Sequence, residues 1–201
     1  LPISIYGLYT AGVSLAALPG GWVADRLLGG QRAVWLGGCL IAAGHFTLGL
    51  PWHEAFFLGL LLVVLGTGLL KPNISALVGS LYPEGGARRD SGFTLFYMGI
   101  NLGAFLGPLV CSALGEKVNW HYGFAAAGVG MVLGLVQFRI TRHRLGEAGR
   151  QPAHPSADPT RDWTLLGAGV VTLLAVFIAA AAGWLTVDPV QLGRWTTVLI
   201  T

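Results

Sequence analysis

Long apolar stretches separated by short polar segments make up almost the whole chain of 201 residues. A bilayer core of about 30 Å requires roughly 20 consecutive apolar residues in a helix. The stretches lack the period-two alternation of barrel strands, so each is predicted to be a helix. The predicted fold class is therefore all-α, a polytopic bundle of membrane helices. Five stretches have full length and two more run into the chain ends: 33–52, 55–82, 91–115, 121–140 and 163–187, with 1–24 and 190–201.

Basic residues lie mainly in every second loop. Loops 25–32, 83–90 and 139–162 hold nine of the twelve Lys and Arg residues, whereas the alternate loops hold only Lys117. Such Arg-rich loops remain on the cytoplasmic side of a membrane. The pattern predicts a multi-pass protein of the inner (plasma) membrane, with these three loops in the cytoplasm. Membrane lipid is an expected partner and nucleic acid is not, because no basic face of a soluble domain is apparent.

Composition supports the membrane assignment. The chain is 54% hydrophobic and 10% charged and contains 31 Gly, whereas soluble domains carry roughly 25% charged residues. These values exclude a disordered chain and argue against a single water-soluble domain. The two Cys exclude a disulfide scaffold and a Cys-based zinc site. Because the chain begins at Leu1 rather than Met and stops at Thr201 inside an apolar stretch, part of the protein is expected to be absent.

Lys71 lies deep inside an apolar stretch, in the segment GTGLLKPNIS. A Lys at the bilayer centre costs about 2.5–3.5 kcal/mol on insertion scales, so its side chain is expected to face protein or water and to serve a function. Thr67 and Ser75 lie four residues to either side and make the same helix face polar. Pro72 should free the carbonyl of Gly68 and kink the helix. The alternatives are a Lys that snorkels to the interface or one that pairs structurally with a carboxylate.

Asn101 lies in the segment FTLFYMGINLGAFLGP. Gly99, Gly103 and Gly107 form two overlapping GxxxG steps, which predict a seam for close approach of another helix. Asn101 lies about 160° around the helix from this seam and is expected to face a bundle interior or an aqueous cavity, with Tyr97 one turn away on the same face. The alternative for Asn101 is an ordinary interhelical hydrogen bond, and spacing alone does not decide between the two.

Three of these polar positions are predicted to share one depth. Lys71, Asn101 and Ser14 each lie ten or eleven residues from the cytoplasmic end of their apolar stretch, or roughly 15 Å at 1.5 Å per residue. Substrate sites of transporters form near the bilayer midplane. The three side chains are therefore predicted to lie at one level near the bilayer midplane, as part of a candidate substrate site.

The first cytoplasmic turn has the sequence GGWVADRLLGGQR. Asp25 and Arg26 end one helix, Gly29 and Gly30 turn the chain, and Arg32 begins the next helix. A carboxylate here can accept hydrogen bonds from helix N-termini or from a nearby Arg and so lock two helices together. The alternative is an ordinary charged interfacial loop.

No enzymatic motif accompanies these features. The sequence contains no GxSxG, P-loop, GxGxxG or HExxH, so no catalytic residue, metal site or cofactor is predicted. His45 lies near mid-depth and could titrate, but a packing role fits a lone His better.

The first cytoplasmic turn resembles the loop between helices 2 and 3 of the major facilitator superfamily. The resemblance rests on the spacing of Gly21, Asp25, Arg26, Gly29, Gly30 and Arg32. Together with GTGLLKPNIS and the element FYMGINLG, it resembles the proton-dependent oligopeptide transporter family. The resemblance covers essentially the whole chain. It implies an N-terminal bundle of helices 2 to 6 at 1–145 without helix 1, a cytoplasmic linker at 146–161, and part of an inserted helix pair at 162–201 whose second helix is truncated.

The resemblance also implies roles for single residues. Lys71 attracts the peptide carboxylate and takes part in proton coupling, and Asn101 hydrogen-bonds the peptide backbone. Relatives often place a Tyr on helix 2 where this chain has Ser14, with Tyr9 one and a half turns earlier. Substrate contacts are thus predicted for Lys71, Asn101, Tyr97, Ser14 and Tyr9, and a conformational latch is predicted for Asp25, Arg26 and Arg32. The ExxER segment of the family's helix 1 has no counterpart in the chain.

The predicted function is a proton-coupled symporter that imports di- and tripeptides by alternating access, as a monomer, with the proton as coupling ion and no cofactor. One alternative is a transporter of the same superfamily for another small solute such as nitrate, because a midplane Lys suits any anion. The other is a membrane receptor or scaffold without transport.

Overall fold

A computed structural model describes residues 2–181, and the described residues contain no strand. A π-helical turn at Ala24–Leu28 follows the first helix, and a short 3₁₀-helix at Arg142–Leu145 follows the fifth. The six α-helices are α1 (Pro2–Val23), α2 (Gly30–Leu48), α3 (His53–Ser80), α4 (Gly86–Lys117), α5 (Trp120–Thr141) and α6 (Pro159–Ala181).

The helices confirm the all-α fold class, with small differences at their ends. The predicted stretch 91–115 begins earlier, at Gly86, and 163–187 begins at Pro159, which fits the first helical position because proline has no backbone donor to lose. The stretch 190–201 lies outside the described residues.

Three helical segments of the described chain are long and apolar enough to cross a membrane: Glu54–Ser80, Gly86–Lys117 and Trp120–Leu145. Helix α2 has 19 residues but does not reach the same mean hydropathy, because it includes Gln31, Arg32 and His45.

The chain divides into two compact units. The larger unit contains residues 9–155, from Tyr9 in α1 to Pro155 after α5. The other contains the remaining described residues, 2–8 and 156–181, including α6. The N-terminus of α6 is capped by Asp158, whose Oδ1 accepts a hydrogen bond from the Arg161 backbone N–H at 3.1 Å.

Helices α2 and α3 pack antiparallel through two pairs of glycines. A Cβ on Gly37 would lie 2.7 Å from the Gly66 carbonyl oxygen, and a Cβ on Gly44 would lie 2.8 Å from that of Gly59. The reciprocal distances are 2.6 and 2.8 Å. The glycines are seven residues apart on each helix, so both pairs lie on one face and let the two backbones touch.

Helix α1 packs parallel to α3 near Pro72. Gly20 lies directly against the carbonyl of Gly68, the group that loses its helical donor to Pro72. Asn73 is 4% exposed, and its Nδ2 donates to the carbonyls of Leu69 at 2.6 Å and Gly20 at 3.2 Å. The break that proline makes in α3 is therefore covered by α1 and bridged by an amide side chain.

Helix α5 packs antiparallel on both α2 and α4. A Cβ on Gly38 would lie 2.6 Å from Leu135, and one on Gly128 would lie 3.1 Å from Phe46. On the α4 side, a Cβ on Gly123 would lie 2.6 Å from the Cys111 carbonyl oxygen. Small residues again set the helix contacts.

The predicted seam on α4 has no partner in the described part of the chain. No described atom other than those of α4 itself lies within 4 Å of a Cβ built on Gly99, Gly103 or Gly107. Within residues 2–181, close helix approach uses other glycines, because packing depends on which face meets a neighbour as well as on the GxxxG spacing.

The segment after α5 packs against the N-terminus of α2. Gln31 is 3% exposed, and its Nε2 donates to the carbonyls of Ala148 at 2.7 Å and Gly146 at 3.3 Å. Its Oε1 accepts from Nε of Arg142 at 3.0 Å, and its backbone N–H donates to Gly149 O at 2.8 Å. One buried glutamine thus connects three parts of the larger unit: α2, the turn after α5 and the start of the linker.

Candidate functional site

Lys71 is exposed in the C-terminal half of α3, a helix long and apolar enough to span a membrane. Its side chain makes no hydrogen bond or ion pair with the described residues, and its backbone carbonyl accepts from Ser75 Oγ at 3.4 Å. The neighbouring positions Asn73 and Leu77 are buried, so the helix turns its packed face away from Lys71. The ammonium group is therefore available to an anion on the open face of α3.

Asn101 and Tyr97 lie one turn apart on an exposed part of α4. Asn101 Nδ2 donates to the Tyr97 carbonyl at 2.9 Å, which leaves the amide oxygen and one N–H for another partner. The Tyr97 ring stacks on Phe93 with centroids 6.3 Å apart. Stacking and the local hydrogen bond hold both side chains along their own helix.

Ser14 and Tyr9 lie on α1. Ser14 is exposed, and its hydroxyl donates to the Thr10 carbonyl at 3.1 Å. Tyr9 is half-buried and makes contacts of its own. Ser14 can accept a further hydrogen bond with its oxygen lone pairs.

No hydrogen bond joins Lys71, Asn101 and Ser14 to one another among the described residues. Whether Lys71 and Asn101 lie at the same depth depends on whether depth is counted from the end of the helix or from the end of the apolar stretch. From the helix ends, Lys71 lies 9 residues before Ser80, whereas Asn101 lies 15 residues after Gly86. Helix α4 begins at Gly86, before its apolar stretch begins at 91. Counting from the helix ends therefore gives Lys71 and Asn101 different depths, whereas counting from the apolar stretches gives them nearly the same depth.

The turn at 24–32, which the charge pattern predicts to be cytoplasmic, forms as the glycines predict. Gly29 has a φ of +78°, a conformation that favours glycine, and α2 begins at Gly30. A Cβ on Gly29 would also lie 2.8 Å from the Arg150 carbonyl oxygen. Glycine is thus required here both for the turn and for the close approach of the backbone at Arg150.

The predicted latch residues lie on this turn and are exposed. The described hydrogen bond of Asp25 is made by its backbone carbonyl, which accepts from the His154 N–H at 2.9 Å. Arg26 makes further contacts, and Arg32 projects from the first turn of α2. The acidic and basic side chains are accessible to a partner surface, as a latch requires, and a role in gating remains a prediction.

Sequence reasoning missed the two buried polar residues that organise this unit. Asn73 follows Pro72 in an apolar helix, and a polar amide at such a position was a usable signal. Gln31 had no such signal, because it lies between Gly30 and Arg32 in a segment that reads as a polar loop. Its partners come from residues more than 100 positions later.

Comparison with known proteins identifies relatives over most of the chain. Residues 31–157 match the family model described as POT family. The chain is 44% identical over 187 residues to the uncharacterized transporter YclF of Bacillus subtilis (strain 168), a match that covers 92% of the chain and 38% of YclF. It is 43% identical over 176 residues to the di-/tripeptide transporter of Lactococcus lactis subsp. lactis (strain IL1403), covering 87% of the chain and 35% of that protein.

A solved structure shows the same fold. A crystal structure of peptide transporter POT in complex with sulfate is matched with a TM-score of 0.84 and 46% sequence identity. The match covers 98% of this chain and 41% of the solved one. The chain therefore spans well under half the length of the relatives it matches.

Proposed function

The chain belongs to the POT family, and from this premise we propose that it forms part of a proton-coupled symporter that imports di- and tripeptides by alternating access. Peptide as substrate is supported by the Lactococcus lactis relative, which is named a di-/tripeptide transporter. The protein works in the inner membrane as a monomer, with the three Arg-rich loops in the cytoplasm, and uses a proton rather than a cofactor.

Lys71 is the residue on which this proposal rests most. It is exposed on a membrane-spanning helix and makes no hydrogen bond or ion pair with residues 2–181. An ammonium group in a low-dielectric region attracts a carboxylate strongly, so Lys71 binds the carboxyl terminus of the peptide. When the Lys71 ammonium group gains or loses a charged partner, the balance between the inward-facing and outward-facing states shifts. This shift couples proton movement to peptide transport.

The other predicted contact residues complete this wall of the binding site. Asn101 hydrogen-bonds the peptide backbone with its remaining amide groups, and Tyr97, Ser14 and Tyr9 line the same site. Asp25, Arg26 and Arg32 form the conformational latch at the cytoplasmic end. The remaining contacts to the peptide come from parts of the transporter outside this chain.

The first prediction is that Lys71→Ala in the complete protein abolishes accumulation of a labelled dipeptide. In proteoliposomes with an imposed proton gradient, uptake should fall by about tenfold or more, because the charge that attracts the carboxylate is lost. Lys117→Ala is the matched control, since it removes the chain's other Lys, at the end of α4, and should leave uptake unchanged.

Normal proton-dependent accumulation by Lys71→Ala would show that the assignment is wrong. Competition identifies the solute: unlabelled tripeptide should compete, and nitrate and free amino acids should not. Uptake blocked by nitrate would favour transport of another small anion, and a wild-type protein without solute-driven proton uptake would favour a receptor or scaffold.

A further inference from the structure

Three arginines line an open cavity of about 420 Å³ at the Arg-rich end of the larger unit, between the end of α5 and the start of the predicted linker. The charged and polar residues that line it are Arg139, Arg142, His143, Glu147, Arg150 and Gln31. Glu147 is paired with Arg150, with Oε1 and Nη1 2.6 Å apart. The cavity therefore keeps an excess of positive charge from Arg139 and Arg142.

Arg142 is fixed in position before any ligand binds. Its Nε donates to Oε1 of the buried Gln31, and Gln31 is in turn held by the carbonyls of Gly146 and Ala148. The two Nη groups of Arg142 make no hydrogen bond with the described residues and are available to an anion. A guanidinium group suits phosphate oxygens because it can donate two parallel hydrogen bonds, and prior fixation lowers the entropy lost on binding.

An exposed apolar stripe on α5 leads to the same cavity. It consists of Val129, Leu133, Val136 and Ile140, which are 51%, 64%, 48% and 67% exposed. Their spacing places them on one face of the helix, and Ile140 also lines the cavity. A charged cavity that continues into an apolar stripe fits a molecule with a phosphate head and an acyl tail better than it fits a free anion.

We propose that this cavity, defined by Arg139, Arg142 and Arg150, binds the headgroup phosphate of an anionic phospholipid whose acyl chain lies along the stripe on α5. Basic pockets at the membrane surface bind such headgroups through Arg and Lys. The lipid would hold the end of α5 and the linker against α2, since Arg142 and Gln31 belong to both the cavity and the linker contact.

The test uses the complete protein in neutral detergent, stripped of lipid and titrated with phosphatidylglycerol or with phosphatidylcholine of the same acyl chains. Native mass spectrometry counts the bound lipid. The wild type should bind phosphatidylglycerol more tightly than phosphatidylcholine. Arg139→Gln combined with Arg150→Gln should weaken phosphatidylglycerol binding by about tenfold or more, because two charges near the phosphate are lost and Glu147 is left unpaired. This variant keeps the Arg142–Gln31 hydrogen bond, and a thermal unfolding curve checks its fold.

Arg88→Gln combined with Arg89→Gln is the matched control, since it removes the same charge from another Arg-rich loop. It should leave lipid binding within about twofold of the wild type. The proposal is overturned if the cavity variant binds phosphatidylglycerol normally, if the control loses binding equally, or if phosphatidylcholine binds as tightly. Displacement of the lipid by an equal concentration of inorganic phosphate would assign the cavity to a soluble anion instead.

Discussion

Two asparagines in the membrane-spanning helices differ in their surroundings. Asn73 is buried and joins α3 to α1 through the Gly20 carbonyl, whereas Asn101 is exposed and bonds only to its own helix among the described residues. The same side chain thus supports packing at one position and is open to a ligand at the other. This difference predicts opposite effects of removing each amide.

We expect Asn73→Ala to lower the free energy of unfolding of the complete protein by about 1 kcal/mol. The Gly20 carbonyl would lose a buried donor, although hydrogen bonds in membranes contribute modestly because the unfolded state also finds partners. Equilibrium unfolding in mixed detergent micelles measures the change.

Asn101→Ala serves as the matched variant. Its unfolding should stay within about 0.5 kcal/mol of the wild type, since a surface residue is removed. Its affinity for a dipeptide in reconstituted vesicles should fall, because a donor and an acceptor for the peptide backbone are lost. Unchanged peptide affinity would count against the proposed contact, and a stability loss as large as that of Asn73→Ala would contradict the exposed position.

Packing between helices depends on where glycines meet another backbone. Gly37 and Gly44 on α2 face Gly66 and Gly59 on α3. In each pair the carbonyl oxygen of one glycine lies against the Cα of the other, where a side chain would not fit. These glycines follow a spacing of seven rather than a GxxxG step. The close contact between α2 and α3 therefore uses glycines outside the predicted seam.

Gly66→Ala is expected to destabilise the bundle by about 1–3 kcal/mol, since the added methyl group would lie 2.6 Å from the Gly37 carbonyl oxygen and backbone would have to move. Thermal unfolding of the purified complete protein, followed by loss of the monodisperse fraction, provides the measurement.

Gly134→Ala is the control, on α5, where no described atom outside α5 lies within 4 Å of the new methyl group. Alanine is the better helix former by roughly 0.5–1 kcal/mol, so this variant should be as stable as the wild type or more stable. Equal destabilisation of both variants would show that helix propensity or insertion, rather than the α2–α3 contact, controls the effect.

The larger unit joins distant parts of the chain at its Arg-rich end. Gln31 connects α2 with Arg142 and with the carbonyls at 146 and 148, and the Asp25 carbonyl accepts from His154. The start of the predicted linker is thus attached to the turn that carries the predicted latch residues.

Gln31→Ala should weaken this attachment, although the backbone bonds from Gln31 to Gly149 and from His154 to Asp25 remain. Amide hydrogen exchange over 146–155 is expected to become faster by about tenfold, because three hydrogen bonds of the buried amide are lost. Gln137→Ala, an exposed Gln on α5, is the control and should leave exchange in the segment unchanged. Protection that survives Gln31→Ala would mean that other contacts hold the linker.

The sequence by itself determined the helical membrane fold and the family. Apolar stretches of membrane length exclude other structures because backbone polar groups in lipid must bond within the segment, and the motifs around Asp25, Lys71 and Asn101 suffice for the family resemblance. Local chemistry also predicted the Gly29 turn correctly, since positive φ favours glycine. These properties depend on residues close together in the chain.

Tertiary structure alone decided which polar and small residues are buried. The sequence places Gly99, Gly103 and Gly107 in the better seam motif, yet the described contacts use Gly37, Gly44, Gly59 and Gly66. Nothing in the sequence marks Gln31 as a buried residue, yet its side chain hydrogen-bonds the Ala148 carbonyl and the Arg142 guanidinium, more than 100 residues away. The physical reason is that burial and hydrogen bonding of these side chains depend on the neighbouring helix. Helix periodicity predicts which residues share a face, but it does not predict which helix packs against that face.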